Sequence, residues 1–215
     1  LALCFLGTLT HPLLDLQTTY SVQLLSPVSG LWFHADSLFI IDALLWTVLA
    51  LSIPVSRWGE KRGRPWQGSA LAGLSVAFVY IAFNLGLTGA ARAALIQRVP
   101  DATQIFASPP PALFWRRTMV WREDGRIGRA EFDPLDGNLG PSQALQADGM
   151  DDPVVRRAIA GSPGLRKFLY WSVMPVATVT RDGCIATVTI GDARYGSVGS
   201  RESRLSRQTK VNLCR

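Results

Sequence analysis

Residues 68–91, GSALAGLSVAFVYIAFNLGLTGAA, contain no charged side chain. Roughly 20 apolar residues suffice to cross bilayer hydrocarbon, so this stretch predicts a membrane-spanning helix. Its Gly73, Gly86 and Gly89 permit close approach of a neighbouring helix. Two more apolar runs stand upstream. Residues 37–56 are near the crossing length, and residues 1–25 reach it, although Pro12 interrupts them. Proline removes a backbone donor and kinks or restarts a helix, with Thr10 or His11 placed to cap the restart. The fold expected is a mainly α-helical membrane region of about three spans over residues 1–91. A linker (92–112), a small soluble α+β domain with an antiparallel sheet (113–196) and a loosely ordered tail (197–215) follow it.

The whole chain, 215 residues with a formal charge of +6, averages two unlike parts. The part before Ala91 is nearly free of charge outside one basic cluster, and most arginines and acids come later. A mean hydropathy of +0.18 fits a membrane part joined to a water-exposed part. The arginines are scattered and do not interleave with aromatics, which argues against nucleic acid as a partner. The chain opens on Leu1-Ala2-Leu3-Cys4-Phe5-Leu6, without an initiator methionine or a basic leader. It reads as the middle of a membrane helix, and so as a fragment of a longer protein.

The basic cluster is Arg57-Trp58-Gly59-Glu60-Lys61-Arg62-Gly63-Arg64-Pro65-Trp66, between the second and third runs. Basic residues beside tryptophans mark a cytoplasmic interface, and residues 26–36 carry neither lysine nor arginine. This orientation directs Asp15, Asp36, Asp42 and everything after Ala91 toward the non-cytoplasmic side, periplasmic in a bacterium. Cys4, Cys184 and Cys214 form no metal or redox motif. Cys184 and Cys214 can pair if their domain faces an oxidising compartment, which spacing alone leaves open.

After Pro100 the pattern shortens. Ser108-Pro109-Pro110-Pro111 is a stiff extended stretch. Strand-like runs follow at 113–121, 128–132, 168–173, 176–180 and 185–190, with Asp124-Gly125 and Asp182-Gly183 as hairpin turns. Asp152 and Pro153 start one short helix as cap and first residue.

Thr10-His11-Pro12-Leu13-Leu14-Asp15 places a histidine and a carboxylate four residues apart in an otherwise apolar run. Such a pair shares one helix face and can grip one ion. Ionisable groups at membrane depth are costly and mark functional sites with a partner nearby. Asp42 stands in the next apolar run and either meets that metal or pairs with polar groups from the missing upstream half. Asp36 either joins the site or caps the helix that follows it. Thr10 either orients His11 or caps its helix, His34 reads as interfacial, and Trp32, Trp58 and Trp66 as interface anchors.

The combination of Thr10-His11-Pro12-Leu13-Leu14-Asp15, Thr18-Thr19-Tyr20, Trp32-Phe33, Asp36 and Phe39-Ile40-Ile41-Asp42 resembles the bacterial membrane-bound metal-dependent hydrolase family. Its members are inner-membrane proteins, some under LexA control. The resemblance implies a divalent metal ion, with zinc favoured over manganese or iron, held by His11, Asp15 and Asp42. With that metal, an activated water would attack the substrate, with Asp36 or Asp42 as general base. The resemblance attaches no substrate, and the expected opening of the site near the outer leaflet suggests a lipid-linked or phosphoester one. The chain departs from the family in lacking its upstream Arg-Gly-x-Thr-His-Ser motif and in having Ala43 where the family often has proline. The rival expectation is a non-catalytic inner-membrane protein whose intramembrane polar residues are structural and whose soluble domain binds a partner. A transporter is less attractive, because no inverted repeat is visible.

Overall fold

Asp42 sets the start of the second helix, and with it the number of membrane spans. In the computed structural model, which describes residues 1–63, 65, 67–196 and 205–214, Asp42 accepts a hydrogen bond from the Leu45 amide and caps α2, Ala43–Lys61. Residues 37–42 therefore lie outside the helix. The part of α2 before its polar end covers residues 43–56, about 21 Å at 1.5 Å per residue, short of roughly 30 Å of hydrocarbon. The first helix, α1, is Ala2–Leu16, also short, and runs through Pro12 without a break. Only α3, Gln67–Arg98, is both long and apolar enough to cross a membrane among the described residues. The expected three spans are thus corrected to one, because the apolar runs at 1–25 and 37–56 are partly consumed by the irregular segment 17–42. In that segment Val22 and Phe33 form an isolated antiparallel bridge.

The helices α2 and α3 pack together. A Cβ added at Gly73 would fall 2.5 Å from the Ser52 Cβ, so a side chain there has no room. Gly86 and Gly89 meet nothing within 4 Å and are not used this way. Of the basic cluster between these helices, Arg62 lies 3.7 Å over the Trp58 ring, while Arg64 and Trp66 fall outside the described residues.

The chain divides into two compact units: residues 1–98, 106–119 and 131–140, and residues 99–105, 120–130 and 141–215. The expected linker is largely structured, since α3 runs on to Arg98 and β1 follows at Thr103–Ser108. The next strands are β2, Arg117–Glu123, and β3, Arg126–Asp133, joined by Asp124-Gly125 with φ of 47° and 69°. Two positive φ values suit the tight hairpin predicted there. Short strands β4, Asn138–Leu139, and β5, Gln146–Ala147, both pair antiparallel with β3, in a sheet of order β1-β2-β3-β4.

The second unit closes on a three-stranded antiparallel sheet of β6, Pro175–Asp182, β7, Ile185–Asp192, and β8, Ser206–Asn212. Strand β8 lies in the stretch expected to be loosely ordered. It pairs in register from Ile185↔Asn212 to Gly191↔Ser206, while residues 197–204 and 215 of that tail fall outside the description. Two helices cover one face. Helix α4, Pro153–Gly161, is capped by Asp152 through the Val154 amide, as its sequence foretold. Helix α5, Pro163–Trp171, is capped by Ser162 and replaces the strand expected at 168–173. Its apolar residues Leu165, Phe168 and Leu169 recur at helical spacing and pack with Val155, Val188, Ile190 and Val211.

Cys184 and Cys214 form a disulfide across a sequence separation of 30, with Cα atoms 5.2 Å apart. Asp192 and Arg194 form a buried ion pair, and Asp192 also accepts from the Ser172 hydroxyl and the Val173 amide. Burial alone would raise the Asp192 carboxyl, but the Arg194 hydrogen bond and charge outweigh it and hold its pKa below the ordinary carboxylate value.

Candidate functional site

On α3 the residues Tyr80, Asn84, Thr88 and Arg92 recur every four positions, so they share one face of an otherwise apolar helix. Tyr80, Asn84 and Thr88 are buried there. A polar stripe of this kind needs partners, because an unbonded buried polar group costs about 1–3 kcal/mol. The first unit supplies them from segment 17–42 and from residues 106–117.

Asp36 is fully buried and sits at φ 53°, a left-handed conformation that aspartate tolerates better than most side chains. Its Oδ2 accepts from Arg92 Nη2 at 2.7 Å and from the Ala107 amide at 3.0 Å. Its Oδ1 lies 3.0 Å from His34 Nδ1, and its backbone carbonyl accepts from the Thr88 hydroxyl at 2.9 Å. Burial alone would raise this carboxyl. The His34 hydrogen bond, the His34 and Arg92 charges and the Ala107 amide together hold its pKa below the ordinary value. His34 Nδ1 also lies 3.2 Å from Arg92 Nη2, so Asp36, His34 and Arg92 form one closed cluster. The His34 ring stacks on Phe106 with centroids 4.0 Å apart.

Arg117 enters the same stripe from β2 and is fully buried. Its Nε donates to the Thr88 hydroxyl at 3.0 Å, and its Nη2 donates to the Asn84 carbonyl at 3.0 Å and side-chain oxygen at 2.9 Å. Its Nη1 donates to the carbonyls of Phe114 and Arg116 at 2.6 and 2.7 Å. Burial pulls its pKa down to about 10, so the guanidinium still carries its charge at neutral pH.

The chain of bonds continues through Asn84, whose amide donates to the Tyr80 carbonyl at 2.9 Å. The Tyr80 hydroxyl donates to Asp42 Oδ2 at 2.8 Å. Asp42 and Tyr80 form part of the wall of a groove of about 310 Å³, otherwise lined chiefly by apolar side chains such as Phe39, Leu44 and Phe114.

The residues singled out from sequence end in different places. His11 Nε2 and Asp15 Oδ2 meet at 3.3 Å on α1, with side chains 82% and 51% exposed. Thr10 bonds the Gly7 carbonyl at 2.8 Å. Asp42 caps α2, and Asp36, expected as a cap or a ligand, binds Arg92 and His34 instead. No group of three or more histidine, cysteine or acidic residues that could hold a metal ion occurs among the described residues. Both oxygens of Asp36 and both of Asp42 accept from protein donors, and His11 and Asp15 stand as a separate two-residue pair. The ligands that the resemblance implies, His11, Asp15 and Asp42, are not brought together as one such group among the described residues. The sequence reading singles out none of Tyr80, Asn84, Arg92 and Arg117; the four-residue spacing on α3 signals the first three, and nothing local signals Arg117 on β2.

Residues 1–91 match the family model described as YdjM inner membrane protein. The match supports an inner-membrane location, and it stops one position short of Arg92. It covers less than half of the chain, and the YdjM-like segment contains His34, Asp36 and Asp42 but not Arg117. No curated protein and no solved structure matches the chain.

Proposed function

We propose that this chain is a non-catalytic inner-membrane protein, anchored by α3, whose C-terminal unit works on the periplasmic side. In this reading the polar residues of the first unit hold it together. The observation that carries the reading is the engagement of Asp36 and Asp42 in buried internal bonds. Each carboxylate oxygen faces an arginine, histidine, tyrosine or backbone donor, so both carboxylates already do structural work in tying their segments to α3 and, for Asp36, to β1. Unmaking such bonds in a buried site is costly.

Two further features support the orientation. The basic, tryptophan-containing stretch 57–66 before α3 suits the cytoplasmic face, which sends the other end of α3 outward. The Cys184–Cys214 disulfide suits an oxidising compartment, since cytosolic thiols are kept reduced.

The test is metal content by plasma mass spectrometry on the purified full-length protein, beside His11→Ala and Asp15→Ala. The expected result is no stoichiometric metal in any of the three. Zinc, manganese or iron that both substitutions remove would overturn the reading and restore metal-dependent hydrolysis. Orientation is read separately, from maleimide labelling of Cys184 and Cys214 in intact spheroplasts after reduction. Labelling by an impermeant reagent is expected, and labelling only after lysis would reverse the topology.

A further inference from the structure

The paired helices α4 and α5 carry Arg156, Arg157, Arg166 and Lys167, all exposed, and residues 153–171 include no acidic residue. Val155, Ala158, Leu165 and Phe168 turn the opposite sides of the two helices onto the sheet. Arg166 Nη1 donates to the Ile159 and Ala160 carbonyls at 3.2 and 2.6 Å, which ties the end of α4 to α5 and fixes both cationic stretches on one layer. Asp152, at the start of α4, is engaged by Arg181 at 2.7 Å and by the Val154 amide and also faces the charge of Arg156, with Asp151 before it. Tyr170, 71% exposed, stands on the same outward side of α5.

We propose that this face docks on the anionic phospholipid headgroups of the membrane in which α3 is anchored. The inference rests on the membrane-anchored reading above. Clustered lysine and arginine side chains are drawn to an anionic leaflet, each adding to the attraction, and an exposed tyrosine suits the headgroup layer. The occupant is a lipid surface of net negative charge, and the contact weakens with salt because it is screened.

The experiment uses the full-length chain in phosphatidylcholine vesicles with and without phosphatidylglycerol. Lys167 is acylated with a water-soluble ester and the rate is read by peptide mass spectrometry. Lys210 is the internal reference: it neighbours buried Val211 on β8, so it faces away from α4 and α5. The expected result is acylation of Lys167 slowed roughly fivefold relative to Lys210 in anionic vesicles at low salt, with the difference lost in high salt. The double variant Arg156→Glu/Arg157→Glu is expected to lose it as well. Equal rates in both vesicle types, or slowing that persists in neutral vesicles, would overturn the proposal. Flotation of the vesicles reads anchoring independently, so a chain that fails to float sinks the membrane reading rather than the docking face. The salt comparison on the unmodified chain stands even if the double variant misfolds.

Discussion

The Tyr80 hydroxyl donates to Asp42 Oδ2 at 2.8 Å while the Leu45 amide occupies Asp42 Oδ1, so one carboxylate both starts α2 and ties it to the middle of α3. Removing it should cost twice. Loss of a cap is worth about 1 kcal/mol, and a buried phenol without its acceptor adds about 1–3 kcal/mol. Asp42→Ala is therefore expected to lower the thermal midpoint in detergent more than Tyr80→Phe does. The double variant should be less destabilised than the sum of the two, because they share one bond. Strict additivity would show that the two residues do not act as a pair.

Arg117 satisfies five acceptors with one guanidinium, two of them on Asn84. Lysine keeps the charge but presents three donors from a single point, so Arg117→Lys should not rescue the fold. Both Arg117→Ala and Arg117→Lys are expected to lose at least about 2 kcal/mol of stability, since several buried acceptors are left unbonded. Chemical denaturation monitored by tryptophan fluorescence would measure it. A lysine variant as stable as the parent would mean that charge alone matters there.

Turns and caps were legible because their chemistry is local. Asp124-Gly125 supplies its own positive φ values, and Asp152 with Pro153 starts α4 within two residues. The number of spans was not legible. The apolar count of residues 37–56 says nothing about where a helix begins, and Asp42 is held in place by Tyr80, 38 positions away. The stretch 168–173 is rich in aromatic and branched residues that read as a strand. Ser162 and Pro163 upstream begin a helix, and packing of Leu165 and Phe168 on the sheet carries it through. At the site, the four-residue period of Tyr80, Asn84, Thr88 and Arg92 was visible, but its partner Arg117 lies in a strand far along the chain. His11 and Asp15 drew attention as a pair at helical spacing, and a pair is what they remain.

Asp36 should give the protein an acid-sensitive step. Its folded pKa lies below the unfolded value of about 3.9, so its contribution is complete above that value. The contribution is lost as pH falls below about 4 and through the depressed folded pKa. Asp36→Asn removes this dependence and weakens the bond to Arg92. The variant is expected to be less stable at pH 7, and the gap to the parent should narrow as pH is lowered toward 3. Asp192, also depressed, continues to titrate in both proteins and leaves a residual acid limb. Unfolding midpoints measured from pH 7 to pH 3 decide the matter, and a gap that stays constant would show that the Asp36 charge does not contribute.

The Cys184–Cys214 link joins the β6–β7 turn to the end of β8, and the Leu213 amide donates to the Cys184 carbonyl at 2.7 Å beside it. Among the described residues, strand β8 lies at one edge of its three-stranded sheet and pairs with β7, so the disulfide fastens an edge. Closing a loop of this length restricts the unfolded chain by about 3–4 kcal/mol in the chain-entropy picture. Cys184→Ser/Cys214→Ser, or reduction of the parent, is expected to speed amide exchange first in β8 and then in β7. Amides around Arg117 and Thr88, held by their own buried bonds, should change little. Exchange read by mass spectrometry with and without reductant tests this directly. Uniform acceleration across the chain would mean that the link supports more than its own sheet.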